Sequence, residues 1–240
     1  MREKINCLEN INEIDQAIET SHIWISIDPN NFEPNEKLAH LHVKKGENKK
    51  ALKIYKQLLK QNRTNFKWYQ EIGLLYSLNC QYDKAIKYLR ESLRLKPSND
   101  AVALRLAKIL YRYKKDVNHT FKIYNDLLKL DPVNYKALYQ LGYIAFELKD
   151  YSKAITLLKH SLKANPKYIK GWNTLAECMF MLKNYVSSLK FFERANKIDS
   201  ICLESKIGLV KCNYHLNKLY EALRIYKEIE NELSQPINIY

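Results

Sequence analysis

Cys212 and His215 stand three residues apart, which puts a thiol and an imidazole on one face of a helix. That spacing can supply two ligands of a tetrahedral metal site, but no second cysteine–histidine pair completes it. His40 and His42 are two apart and point to different sides of a helix. There is no glycine loop to cradle phosphate, no H-E-x-x-H and no nucleophile elbow. Carboxylates are scattered and alternate with lysines at helical spacing, so no pair is set up for acid–base work. The side chains therefore point away from catalysis. An enzyme is not expected, and neither a metal nor a cofactor is expected.

What recurs instead is a beat of small residues: Ala17, Ala51, Ala85, Thr120, Ala154, Ser188 and Ala222, spaced by 34 with one step of 35. A fixed period of this length marks one supersecondary unit copied along a solenoid. Pro29, Pro97, Pro132 and Pro166 follow twelve residues after the small residue, where a helix must stop. Ala39, Gly73, Ala107, Gly142 and Ala176 form a second small slot upstream, preceded by Leu38, Ile72, Leu106, Leu141 and Leu175. Two antiparallel helices per unit are implied, for example 66–79 and 82–95, joined by a link too short for anything but neighbours. Asp116, Asp150 and Asn184 stand where second helices begin and can cap free amides. The single extra residue falls within "YRYKKDVNHT" and predicts a longer turn there.

In its segments "WYQEIGLLYSLNCQYDKAIKYLRESLRLKP" and "ALYQLGYIAFELKDYSKAITLLKHSLKANP" the chain resembles the tetratricopeptide-repeat (TPR) family, and the resemblance runs along essentially its whole length. It implies an all-α fold, a right-handed superhelical solenoid of antiparallel helix pairs. One array over 1–240 is expected, with repeats at about 32–65, 66–99, 100–134, 135–168, 169–202 and 203–236, a truncated copy at 1–31 and a short C-terminal tail. Related helical RNA-binding repeats and pentatricopeptide repeats share the period, but the recurring Gly/Ala, Ala and Pro triplet fits the tetratricopeptide pattern.

The chain has 240 residues, 40 lysines and arginines against 26 acids, and a formal net charge of +14. Such a field draws anionic partners. No apolar run approaches the roughly 20 residues needed to span a bilayer. The opening "MREKINCLENINEIDQ" lacks the apolar stretch of a signal peptide, so the cytoplasm, or the nucleus, is the expected compartment. Five cysteines without a CxxC pair fit free, mostly buried thiols.

The resemblance further implies that first helices line a concave groove. Its inward places hold Arg105, Lys108, Tyr111 and Arg112; then Lys136, Tyr139, Gln140, Tyr143 and Phe146; then Lys170, Asn173, Thr174 and Phe180; then Lys211, Tyr214 and His215. Tyrosine offers ring area with a hydroxyl, arginine a fork for carboxylates, and asparagine a grip on peptide amides. The tyrosines equally suit packing between first helices. The expected function is a non-enzymatic interaction scaffold or adaptor in a multiprotein complex, binding an extended or helical acidic segment of a protein partner. The carboxylate clamp used for Hsp70 and Hsp90 C-terminal tails is incomplete. Gln70 and Leu74 stand where it needs Lys and Asn, and of the clamp places only Lys136 agrees, so those tails are not expected as ligands. RNA binding through the basic surface is the alternative. It is disfavoured because equivalent places run Glu36, Gln70, Leu104, Tyr139 with no repeated code. The terminal repeats, around Leu223 and Ile229, are candidates for self-association.

Overall fold

The computed structural model describes residues 1–234, which form fourteen α-helices and no strand. They run α1 (Arg2–Asn10), α2 (Ile14–Ile27), α3 (Phe32–Lys44), α4 (Asn48–Gln61), α5 (Phe66–Leu78), α6 (Tyr82–Leu95) and α7 (Asp100–Lys114). Then come α8 (Val117–Leu130), α9 (Tyr135–Glu147), α10 (Tyr151–Ala164), α11 (Ile169–Met181), α12 (Tyr185–Ile198), α13 (Leu203–His215) and α14 (Leu219–Ser234). The chain divides into two compact units, residues 1–120 and 121 onward. In the first, each helix from α1 to α7 packs on the next. In the second, the same holds from α9 to α14, and the first helices α9, α11 and α13 also touch one another in turn. The predicted C-terminal tail and the end of the repeat placed at 203–236 lie outside the described residues.

The beat of small residues follows from helix contact. Ala17, Ala51, Ala85 and Ala154 are fully buried. Where the residue is Thr120 or Ser188, its hydroxyl donates to the carbonyl of Ala107 at 3.5 Å or of Ala176 at 2.8 Å. A small polar residue thus fills the alanine place without leaving a buried group unpaired. Ser92 and Ser161 do likewise from the next turns, donating to the carbonyls of Phe66 and Tyr135.

The upstream slot shows a size match. A methyl at Gly73 would sit 2.7 Å from Cγ and Cδ2 of Leu89, and one at Gly142 would sit 2.9 Å from Cγ of Leu158. Where the slot holds Ala39 or Ala176, the second helix offers Tyr55 or Phe192 in place of leucine. A flat ring leaves room for a methyl that a γ-branched side chain occupies. Gly208 of α13 instead meets the second helix of the preceding hairpin, where a methyl would lie 2.3 Å from the Phe192 ring of α12.

Each helix hairpin turns at one left-handed residue: Asn12, Gly46, Cys80, Lys115, Lys149, Lys183 and Asn217. These keep the same spacing as the small residues. The following residue closes the first helix by donating to a carbonyl five back (Gln81 to Tyr76, Asp150 to Ala145, Asn184 to Met179, each 2.9 Å), the Schellman wrap. In three hairpins that same residue also caps the second helix. The side chains of Asp116, Asp150 and Asn184 accept from the amides of His119, Lys153 and Ser187 at 3.1 Å. Asn31, Asn65, Asn99 and Asn134 cap first helices in the same manner.

Two expectations are corrected. The extra residue does not lengthen the turn between helices. It extends α7 to fifteen residues, and Asp116 closes the helix on Leu110, six back rather than five. The helical bonds gained along α7 outweigh what a looser loop would offer. The thiols are also less buried than expected: Cys178 and Cys212 are interior, Cys202 is partly covered, and Cys7 and Cys80 are exposed. Burial pushes the Cys178 thiol up to about 12, so it stays a neutral thiol.

Gly73→Ala is expected to destabilise the protein. Overpacking costs about 1–3 kcal/mol and outweighs the roughly 1 kcal/mol gained in helix propensity. Adding Leu89→Tyr, which copies the Ala39–Tyr55 pairing, should recover part of the loss in a double-mutant cycle read by urea unfolding. Conversely, Lys183→Gly removes a left-handed lysine (φ 59°) and should raise stability by up to about 1 kcal/mol, read as a higher urea midpoint.

Candidate functional site

On α7 the side chains of Arg105, Lys108 and Arg112 lie one turn apart and exposed, with Tyr111 half-buried beside them. Among the described residues no carboxylate pairs with any of the three cations. The interior side of α7 explains their direction: Val102, Ala103, Leu106, Ala107, Ile109 and Leu110 are buried and leave one solvent stripe for charge.

In the same unit, α3, α4 and α5 line an open pocket of about 570 Å³ of mixed charge, where Glu33, Glu36 and Glu71 stand among Arg2, Lys37, Lys67 and Lys96. Glu36 of α3 accepts from the indole N–H of Trp68 and, at 3.4 Å, from the amide of Asn65. Phe32 packs edge-on to Trp68 at 5.4 Å and fixes the indole. Glu71 of α5 is half-buried and accepts from the Gln70 amide at 3.3 Å. Burial pushes its carboxyl above the usual range, against the smaller pull of that hydrogen bond and of His40. The phenol of Tyr55 is raised chiefly by burial, and further by Glu71 and Glu36. Sequence reading missed Glu71 and weighed His40 only beside His42. Their one signal is that acidic or imidazole side chains stand at neighbouring first-helix places on α3 and α5.

In the second unit the aromatic candidates form a connected row. Tyr139 is nearly buried, 5.0 Å edge-on to Tyr168, and Tyr168 meets Tyr135 at 5.1 Å. Tyr143 and Phe146 are half-buried, with ring centroids 6.4 Å apart, and Tyr151 follows at 6.0 Å from Phe146. Gln140 is half-buried beside them. Asn173 is fully enclosed: its carbonyl oxygen accepts from Ser205 at 2.8 Å and its amide donates to the Cys202 sulfur at 3.6 Å. It joins α11 to α13 and presents no free amide to solvent. Thr174 is turned inward as well, donating to the Lys170 carbonyl. Lys211 is exposed and lies 3.8 Å from Glu177. Cys212 donates to Ser188 at 3.2 Å, while the neighbouring His215 stacks on Tyr185 at 4.6 Å. Leu223 and Tyr226 are exposed beside a surface pocket of about 390 Å³, whereas Ile229 is buried in the core of α12–α14. Only the former pair is open to a partner.

Comparison with known families matches the tetratricopeptide-repeat model at residues 36–65 and again at 66–99. Residues 114–195 match the model of anaphase-promoting complex (cyclosome) subunit 3. The chain belongs to the tetratricopeptide-repeat family. It is 29% identical over 109 residues to the BBSome complex member BBS4 of Bos taurus, covering 45% of this chain and 21% of that protein. It is 32% identical over 103 residues to the anaphase-promoting complex subunit CDC16 of Saccharomyces cerevisiae, covering 43% and 11%. The matches thus span about a fifth or less of these relatives. Among solved structures, a tetratricopeptide-repeat protein of Parabacteroides merdae superposes with a TM-score of 0.72 at 14% identity, covering 95% and 90% of the two chains. YrrB, described as a TPR protein with an unusual peptide-binding site, gives 0.60 at 16% identity, covering 78% and 96%.

Because the native state holds Glu71 with a raised pKa, that group binds its proton more tightly folded than unfolded. Its contribution to stability therefore falls as pH rises through the ordinary value of 4.5 to the folded value. Glu71→Gln keeps the acceptor and removes the charge. Relative to the wild type, the variant should show a higher urea midpoint at pH 7. The difference should vanish near about pH 4, where the native carboxyl is itself protonated.

Proposed function

We propose that this tetratricopeptide-repeat chain is a non-enzymatic scaffold whose first helices bind a segment of a protein partner. Relatives within multiprotein assemblies, the BBSome and the anaphase-promoting complex, support a role in holding subunits together. The observation that carries the reading is the trio Arg105, Lys108 and Arg112, exposed on one stripe of α7 without a carboxylate partner among the described residues. Two guanidinium forks separated by two turns suit two acidic side chains on one face of a helical or extended segment. Tyr111 beside them, and in the second unit Tyr143 and Phe146, supply ring surface that binds apolar groups at low entropic cost. Asn173 positions α13 in this scheme, and Tyr139 backs the aromatic row. Contact with the ligand falls to Gln140, Tyr143, Phe146 and Lys211. Adaptor activity in the cytoplasm is the setting in which such a surface would work.

The test is affinity purification with mass spectrometry, comparing the wild type with Arg105→Glu/Lys108→Glu/Arg112→Glu and with Tyr143→Ala/Phe146→Ala. All are first shown to be equally helical by circular dichroism. Loss of partners from each variant is expected, and the residual binding of the charge variant should be less sensitive to salt. Undiminished recovery by folded variants rejects the assignment.

A further inference from the structure

A second charged surface lies on the opposite set of helices. Two, five and nine residues after the small residue, α4 carries Lys53, Lys56 and Lys60, and α6 carries Lys87, Arg90 and Arg94. In the other unit, two of the same three places are cationic on each helix: Lys122 and Lys129 on α8, Lys159 and Lys163 on α10, Lys190 and Lys197 on α12. Offsets of three and four residues place each set on one helix face, over about 10 Å of axis. Apart from the half-buried Lys56, all of these side chains are exposed.

Few of them are neutralised. Arg94 pairs with Glu91 at 2.9 Å, Lys129 with Asp126 at 2.8 Å, and the Lys56 ammonium stands 5.3 Å over the Tyr76 ring. The remaining cations named here have no carboxylate partner among the described residues. Glu193 is the one acid at the equivalent places from α4 to α14. Like charges one turn apart disfavour a helix, and the net charge of +14 is drawn largely from these stripes. Their chemistry narrows the occupant. Lysine predominates, a point charge that suits phosphate rather than the planar fork that suits carboxylates. No stripe place carries a large apolar side chain to wedge into lipid. On α4, α8 and α12 the ring between the cations (Tyr55, Tyr124 and Phe192) is buried and cannot stack on bases, while its counterpart on α14, Tyr226, is exposed.

We propose that the second-helix stripes bind the phosphodiester backbone of a nucleic acid without reading its bases. This surface is separate from the first-helix peptide site and does not depend on it.

The probe is a fluorescein-labelled thymidine oligonucleotide of about 20 residues, titrated with the full chain between about 50 and 200 mM KCl and read by anisotropy. For three or more phosphates contacted, the expected plot of log affinity against log salt is linear, with a slope of about −2 or steeper. Lys53→Gln/Lys60→Gln/Lys87→Gln/Arg90→Gln should weaken binding about tenfold and flatten the slope. Lys4→Gln/Lys67→Gln/Lys136→Gln/Lys170→Gln makes the same charge change on first helices and should alter affinity by no more than about twofold. An adenosine oligonucleotide should bind within about threefold of the thymidine one, as a contact without base readout requires. Circular dichroism confirms that both quadruple variants fold. Absent binding at the lowest salt overturns the proposal. So does equal weakening by the two variants, or binding to phosphatidylserine vesicles without binding to the oligonucleotide.

Discussion

Two helices of a hairpin can lie close only where neither carries much side chain, and the remaining features of this fold are arranged around that contact. The small residue of the second helix is buried to the backbone, and its partner slot on the first helix holds glycine or alanine according to what faces it. Leucine at the facing place demands glycine at 73 and 142, while an aromatic ring accepts alanine at 39 and 176. The pairing is local, so each hairpin solves it alone. Stacking then buries the large residues between hairpins, and no hairpin is stable without neighbours.

Such a contact is legible in a sequence because it constrains residue type at a fixed interval. The alanine beat, the prolines past the second helices and the capping Asp116, Asp150 and Asn184 all report steric or hydrogen-bonding needs that few residue types meet. The hairpin turn is less legible although it is just as regular. Its left-handed residue is glycine once, at Gly46, and otherwise lysine, asparagine or cysteine. The wrap's hydrogen bonds hold lysine and cysteine in a conformation that their side chains do not favour by themselves, so composition hides it. The extra residue near 115 shows the same rule from another side. Its position was evident from the broken interval, but whether helix or loop absorbs it depends on which carbonyl the closing amide reaches.

The candidate site divides along similar lines. Arg105, Lys108 and Arg112 share a stripe because helical spacing alone puts them there. Asn173 occupies an equivalent first-helix place, yet Ser205 and Cys202 of the following hairpin enclose it. The carboxyl of Glu71 is likewise perturbed by burial and by His40 of α3. In both cases the deciding neighbours lie about one repeat away in sequence. Position within a repeat can be read from one copy, whereas burial requires knowing how two copies meet.

That distinction bears on how the two charged surfaces differ. First helices α9, α11 and α13 touch one another, so a side chain on them is crowded by its counterparts and its direction is set. Crowding favours specific contacts: the tilted rings of Tyr143 and Phe146, or a lysine held near Glu177. The outer sides of second helices have no such neighbours. Most of their cations are exposed without a carboxylate partner among the described residues, and a flexible ammonium can follow a ligand whose charges repeat but whose shape varies. A fixed surface favours discrimination between partners, and a mobile cationic one favours affinity without it. The same hairpin presents both because its interior contact uses only one side of each helix.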